Sequence, residues 1–567
     1  MNGPKTELAQ RLHADKYRSA GETFEEGMSR VARALSDNDE HRAEFFDIIL
    51  NQRFLPAGRI QAAVGQTRNV TPYNCFVSGT IEDSFVDGHG SIMAMATEAA
   101  TTMRMGGGIG YDFSTLRPRK ALIKKLGSHS SGPVSFMHIY DAVCLATCSA
   151  GHRRGAQMGI MRIDHPDIEE FIHAKKNETD LTGFNISIAV TDEFMEHLAD
   201  GRLFPLCFGG EVYRHVDPRA LWDQVMQIAY DWGEPGVIFI DRINEMNNLA
   251  YCEQIAATNP CGEQPLPPYG ACLLGSFNLT QYLEEKDGVF SYNYDAFCAD
   301  IAPVVRALDN VVDIATYPLF EQEKEAKAKR RMGLGVTGVA NTLEAMGHPY
   351  GSPTFCETLD RILSCLKVTA YAASVALAEE KGPFPLFDPA YLDSKFIATL
   401  PPVLQNEIRE HGIRNSHLIS IAPTGTISIT ADNVSSGIEP VFSYRQGRRV
   451  NTPAGPVVVE ADDFASAVLG VRGVPCADVT IDEHLAVAKT AVKHVDSAVS
   501  KTINCPKETT WETFVDIYRR AWASGCKGIT VYRNGCKREG VLFEIEEKGE
   551  EPKTCRIDPR TGARDCE

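Results

Sequence analysis

No Cys-x-x-Cys occurs in this chain, and no group of cysteines and histidines has the spacing of a closed zinc site. Sixteen cysteines in 567 residues are also too sparse for a disulfide scaffold, and without an apolar leader they point to a reducing compartment. Thiol redox chemistry is what these absences leave. No apolar run approaches the roughly 20 residues of a membrane span. The opening MNGPKTELAQRLHADKY is polar, so neither a secretory signal nor a membrane partner is expected, and the cytoplasm is the expected location. Positive charge is short as well. A net charge of −18 argues against nonspecific nucleic-acid binding, which depends on Lys and Arg neutralising phosphates. Any phosphate site has to be local.

What is present is ample apolar material, 43% of residues against 23% charged, enough to bury a large core. Phe24, Met28, Val31, Leu35 and Phe45 recur at helical spacing, so residues 1–50 are expected to form a helical appendage. From Phe54 onward the pattern alternates. Asn185–Val190 and Leu418–Ala422 read as buried strands, whereas Ala220–Trp232, Ala296–Asp313 and Thr358–Glu380 read as helices, which together imply an α/β architecture over residues 51–541. Near the end, Glu483–Ser500 and Thr510–Gly525 read as amphipathic helices before the strand-like Gly528–Tyr532. Residues 542–567 are charged and rich in Pro and Gly, the composition of a mobile tail, and they carry Cys555 and Cys566.

The most informative segment is Asn259-Pro-Cys-Gly-Glu263. A cysteine in a tight Pro/Gly loop is held at one point, and a carboxylate two residues later reaches the same small volume, pairing a radical or nucleophilic sulfur with a base. Cys261 alone would as readily be a small buried hydrophobe. The segment, with Gly270-Ala-Cys-Leu-Leu-Gly-Ser-Phe-Asn-Leu279 and Pro72-Tyr-Asn-Cys-Phe-Val77, resembles the active site of ribonucleotide reductases, in the form typical of their adenosylcobalamin-dependent class. Further matches at Arg330–Val336, Asp496–Asn504 and Lys527–Arg533 extend the resemblance from about Phe54 to Val541, in family order.

The resemblance implies a ten-stranded α/β barrel with a central finger loop, adenosylcobalamin as cofactor, and a ribonucleotide substrate, with diphosphates favoured over triphosphates. It makes Cys261 the thiyl radical that takes the ribose 3′-hydrogen, Glu263 the base for the 3′-hydroxyl, and Asn259 a hydrogen-bond partner of the sugar. Cys75 and Cys272 become the thiols that close to a disulfide. Pro423-Thr-Gly-Thr-Ile427, a hydroxyl-bearing turn after a strand, takes the substrate phosphates by resemblance; read by itself, the turn fits equally well an ordinary helix start capped by Thr424 or Thr426. The run Met105-Gly-Gly-Gly-Ile-Gly110 is explained as well by close backbone packing as by nucleotide binding.

Around Ile139-Tyr-Asp141 and Ala150–Gly159 the resemblance implies a site for a deoxynucleoside triphosphate effector at a homodimer interface, with Asp141 accepting from the sugar and Arg153 and Arg154 facing its phosphates. A solvated basic turn also accounts for the two arginines. Segment 175–184 becomes the loop reporting effector identity to the substrate base. The place where the oxygen-dependent class has paired tyrosines reads Thr530-Val-Tyr-Arg533, and no glycyl-radical motif is present. No room for an added activity domain exists before Phe54, so regulation is expected to be limited to substrate choice. Cys555 and Cys566, ten residues apart, depart from the close tail pair of relatives. They are read as a shuttle pair served by thioredoxin or another thiol reductant, with incidental exposed cysteines as the alternative and Cys536 as a competing partner. Two rivals remain: a catalytic subunit that needs a radical-generating partner protein, and a nucleotide sensor without activity.

Overall fold

The computed structural model describes residues 3–147, 156–177, 179–452 and 455–537, and the backbone of 542–544, 556–557 and 564–565; side chains are left undescribed at 448–452, 455–457 and 459. Five strands, Cys75–Val77, Gly108–Asp112, Gln157–Arg162, Phe184–Val190 and Gly236–Phe239, lie side by side and parallel. Parallel neighbours need crossovers, and helices such as Ile92–Arg104, Pro133–Ala146 and Pro218–Trp232 provide them. Ala271–Cys272 joins one margin antiparallel and Gly528–Arg533 joins the other, with Thr502–Cys505 parallel beyond it. Leu274–Asn278 runs parallel to Gly333–Thr337. Isolated parallel bridges carry the order further, Leu334 to Ile419 and Ile421 to Val499. The result is an α/β protein with mixed sheets.

Side chains alternate across each strand, and the two apolar clusters follow that alternation. Val237 and Phe239 join the cluster under the crossover helices, while Ile238 joins the cluster on the opposite face; Ile186 and Ile188 divide from Ala189 in the same way. The five-strand sheet is therefore buried on both faces, as parallel sheets are. Helices Glu7–Tyr17, Phe24–Leu35 and Asp39–Leu50 open the chain, and Val31, Leu35 and Phe45 enter the second cluster with Phe277, Leu308 and Leu363.

Several sequence expectations need adjustment. The helix expected over Glu483–Ser500 ends at Val492, because Asp496 is pulled inward: its carboxylate accepts from the amides of Leu418 and Ile419 at 2.7 and 3.0 Å and from the Tyr371 hydroxyl at 2.7 Å. Leu418–Ala422 is a run of single bridges and no continuous strand. One helix, Pro353–Lys381, is long and apolar enough to cross a membrane by length and composition, and its Leu359, Ile362, Leu363, Leu366 and Tyr371 pack into the core. Cys298 and Cys365 form a disulfide between that helix and Tyr294–Ile314. Late in the chain, the backbone of Leu542–Glu544 pairs with Gln446–Arg448, and Arg556–Ile557 pairs with Arg564–Asp565.

Candidate active site

Cys261 stands at the tip of a hairpin. Ala257–Thr258 pairs with Pro265–Leu266, and the Asn259 amide donates to the Gln264 carbonyl at 3.0 Å while the Gln264 amide donates to Asn259 Oδ1 at 3.0 Å. The Gly262 amide closes the turn on the Asn259 carbonyl, in a backbone conformation of φ +81° that favours glycine. The hairpin leans on the strand Gly108–Asp112. A Cβ on Gly110 would stand 1.9 Å from the Thr258 carbonyl oxygen, and one on Gly108 would stand 3.2 Å from both Pro260 Cγ and Cys75 Sγ. Ile109 and Tyr111, on the other face, enter the helix-side cluster. The glycine run is thus a seat for the hairpin, which decides between the two readings of Met105–Gly110 in favour of close packing.

Cys75 and Cys272 are directly opposed partners of an antiparallel pair. Such partners have α-carbons about 4.5–5.5 Å apart, within the span a disulfide needs. Neither is joined in a disulfide here, Cys75 being half-buried and Cys272 buried. Burial raises the Cys272 thiol well above the usual cysteine value, and the nearby Glu263, Cys75 and Cys261 raise it further. Glu263, Cys75 and Cys261 therefore all lie within electrostatic reach of the Cys272 sulfur. Glu263 is buried, which pushes its carboxyl up to about 7; its own amide and the neighbouring Asn259 oppose this only in part. Asn259 Nδ2 and Glu263 Oε2 complete no hydrogen bond among the described residues, leaving a buried donor and a buried acceptor beside Cys261.

Two contacts that sequence reasoning missed hold Glu263 in place. Ser420 Oγ and the Ala498 amide both donate to the Glu263 carbonyl at 2.9 Å. Lys527, whose ammonium burial brings down to about 8, donates to the Asp496 carbonyl. These residues lie in segments that the sequence marked without assigning a role.

The turn Pro423–Ile427 leads into a helix of one turn, Ile427–Thr430. Thr426 occupies the cap position without a side-chain cap bond, and Thr424, at φ +51°, spends its hydroxyl on Thr337 Oγ1 at 2.9 Å and the Gly437 amide at 2.8 Å. The turn thus opens a short helix with Thr426 at the cap position, but neither threonine caps it through its side chain. Asp141, buried in the helix Pro133–Ala146, accepts from the Gly183 amide at 2.8 Å. Arg153, Arg154, Cys555 and Cys566 lie outside the described residues. Cys536 Sγ lies 3.9 Å from where a Cβ on Gly233 would be.

A cavity of about 260 Å³ borders Cys261, lined by Asn185, Ser187, Glu234, Gly236, Lys501 and Thr530 among others. Neither Cys75, Cys272, Glu263 nor the Pro423–Ile427 turn lines it. A Cβ on Gly236 would come within 2.9 Å of Ser187 Oγ, so glycine keeps this wall open. Cys261 can therefore be approached from a side that the thiol pair does not occupy. No cluster of histidine, cysteine or carboxylate able to hold a metal occurs among the described residues.

A family model described as the barrel domain of ribonucleotide reductase matches residues 73–473 and 474–532. A vitamin B12-dependent ribonucleoside-diphosphate reductase of Mycobacterium tuberculosis (strain CDC 1551 / Oshkosh) is 35% identical, over 95% of this chain and 79% of its own length. The protein of the same description from Thermoplasma acidophilum is 33% identical, over 92% of this chain and 68% of its own. A vitamin B12-dependent ribonucleotide reductase of Streptomyces clavuligerus is 28% identical, over 92% and 62%.

Proposed function

This chain belongs to the ribonucleotide reductase family, and on that premise we propose that it reduces ribonucleoside diphosphates to their 2′-deoxy forms with adenosylcobalamin as radical source. The observation that carries this reading is Cys75 paired across from Cys272, with Cys261 and Glu263 within electrostatic reach of the Cys272 thiol. We read the pairing order as a closed ten-stranded α/β barrel. After the five parallel strands come segments 528–533, 497–505, 418–421, 333–337 and 271–278, the last returning to Cys75–Val77.

The cavity beside Cys261 fits the nucleoside part of the cofactor: it reaches the sulfur, its walls carry glycine and small hydroxyl side chains, and it is separate from the thiol pair. Asn185, Ser187, Lys501 and Thr530 would hold that part. When bound, adenosylcobalamin supplies a radical by homolysis of its cobalt–carbon bond.

Cys261, as a thiyl, takes the 3′-hydrogen of the ribose. Glu263, poised near pH 7 by its burial, takes the 3′-hydroxyl proton, and Asn259 orients the sugar. Water leaves from C2′. Cys75 and Cys272 together give two electrons and two protons and close to a disulfide, and Cys261 returns hydrogen to C3′. The net change is one ribonucleotide and two thiols to one deoxyribonucleotide, one disulfide and one water. Pro423, Thr424, Gly425, Thr426 and Ile427 cradle the diphosphate, with their backbone more than with the committed Thr424 hydroxyl.

A deoxynucleoside triphosphate effector binds near Asp141, Arg153 and Arg154 at a homodimer interface. Cys555 and Cys566 reopen the active-site disulfide with electrons from a thioredoxin-like reductant.

The test is anaerobic conversion of CDP to dCDP by the purified chain with dithiothreitol, with and without adenosylcobalamin. Product that appears only with the cofactor, and without a second protein, upholds the proposal. Absence of product across nucleotides and effectors overturns it in favour of a radical-donating partner protein.

A further inference from the structure

Glu263 is held from behind, at its carbonyl. Ser420 Oγ and the Ala498 amide both donate to that oxygen at 2.9 Å, so its two lone pairs are filled from two separate segments. Asp496 ties those segments together. Its carboxylate accepts from the amides of Leu418 and Ile419, the residues before Ser420, and from the Tyr371 hydroxyl, while its own backbone runs on to Ala498. The Ser497 amide donates to the Ile419 carbonyl at 3.1 Å, and the Lys527 ammonium donates to the carbonyls of Asp496 and Ser497 at 2.5 Å each. Ser420 has no slack on its other side. Its amide donates to the Leu334 carbonyl at 2.9 Å, and a Cβ on Gly333 would stand 2.7 Å from Ser420 Cβ and 2.5 Å from Gln264 Nε2.

The carboxyl end of Glu263 is the opposite case. Its Oε2 and Asn259 Nδ2 are both buried and complete no hydrogen bond among the described residues, although the two side chains are near enough to interact. A buried donor and a buried acceptor left apart cost free energy that pairing would recover. The hold on the carbonyl fixes where the Glu263 side chain starts, and with it the gap to Asn259.

We propose that Ser420 and Asp496 are positioning residues for Glu263: by fixing its carbonyl they keep its carboxyl from closing on Asn259, so that both side chains stay open for the ribose hydroxyls. The inference rests on the reading of Glu263 and Asn259 given above. Release of the hold lets the pair close, which stabilises the carboxylate and brings the carboxyl down from about 7 towards its ordinary value.

The test compares Ser420→Ala with the wild type, in the full chain, by two readouts. The first needs no turnover: the melting temperatures of each chain and of its Glu263→Gln derivative are measured from pH 4.5 to pH 8. Asp496 and Lys527 are present in both members of each pair, so their own titration cancels in the difference. A carboxyl raised on folding loses stability as pH rises, so the wild-type pair diverges up to about pH 7. For Ser420→Ala the divergence is expected to end lower by about one pH unit or more, a tenfold change in the dissociation constant of the proton. The second readout is dCDP formation with adenosylcobalamin and dithiothreitol, in which kcat is expected to fall by about 10²-fold while KM for CDP stays within about twofold of wild type. Asp496→Asn is expected to act in the same direction. If that chain does not fold, Tyr371→Phe, which removes one donor to the carboxylate, should shift the divergence by a smaller amount, and an unmoved divergence there removes Asp496 from the assignment. A Ser420→Ala chain that melts lower, yet diverges and turns over as the wild type does, marks a merely structural residue and overturns the inference; so does a loss of rate with an unmoved divergence. If no chain forms dCDP the reduction reading falls, and the titration still decides whether Ser420 sets the Glu263 carboxyl.

Discussion

The three cysteines of the site are held in two different ways. Cys75 and Cys272 sit on opposed strands, one half-buried and one buried, whereas Cys261 projects from a hairpin tip, exposed and bordered by a cavity. On the proposed mechanism Cys75 and Cys272 would close to a disulfide, which needs a fixed separation, and backbone pairing supplies it. Cys261, on the same proposed mechanism, would receive a radical from one side and meet a sugar on another, which needs open approaches. The contrast between register and access explains why the hairpin is seated by its backbone on glycines while the thiol pair is embedded in a sheet.

The largest expected effect is at the exposed tip. Cys261→Ser should lower dCDP formation by roughly 10⁶-fold with an unchanged melting temperature, as measured by initial rates and thermal unfolding; even a few per cent of residual turnover would break the assignment. Cys75→Ser and Cys272→Ser should each fall to within about tenfold of that loss, since groups acting as a unit fail together. The buried Cys272 variant alone should also lose stability.

Glu263→Gln comes next, with a rate loss of about 10²–10⁴-fold and a signature in stability. Burial raises this carboxyl from 4.5 to about 7 in the folded chain, so the unfolded chain releases its proton first. Between pH 4.5 and 7 the unfolded state binds fewer protons, and wild-type stability falls as pH rises through that window. The Gln variant is spared that loss, so its melting temperature relative to wild type should climb by the equivalent of ~3 kcal/mol from pH 4.5 to pH 8. A flat difference across this range would refute the burial of the charge. The smallest effect is at the seat: Gly110→Ala forces the Thr258 carbonyl to move, costing about 1–3 kcal/mol, and the displaced sulfur should slow turnover by about 10²-fold.

How much of this could be read beforehand depended on distance along the chain. Asn259, Cys261 and Glu263 stand within five residues, so a local pattern sufficed to join them. The opposition of Cys75 and Cys272 is a matter of strand register between remote segments, and only resemblance suggested it. The alternation Gly108, Ile109, Gly110, Tyr111 did carry its meaning, two glycines facing a loop and two apolar residues facing helices, but an alternation cannot say which loop. Ser420 and Asp496 escaped notice because their partners, Glu263 and the amides of Leu418 and Ile419, are distant in sequence. The cavity beside Cys261 is enclosed by segments from six places and has no linear signature. The helix Pro353–Lys381 was legible as Thr358–Glu380 from its apolar spacing, and its buried face packs into the core.

The opposition of Cys75 to Cys272 also bears on how the chain comes together. Cys75 belongs to the first strand of the five-strand half, and its partner follows only after that half and the hairpin have been traversed. Contacts so distant in sequence form only after the intervening chain has closed on itself. A nascent polypeptide that has not yet reached Cys272 therefore lacks the opposed thiol pair altogether.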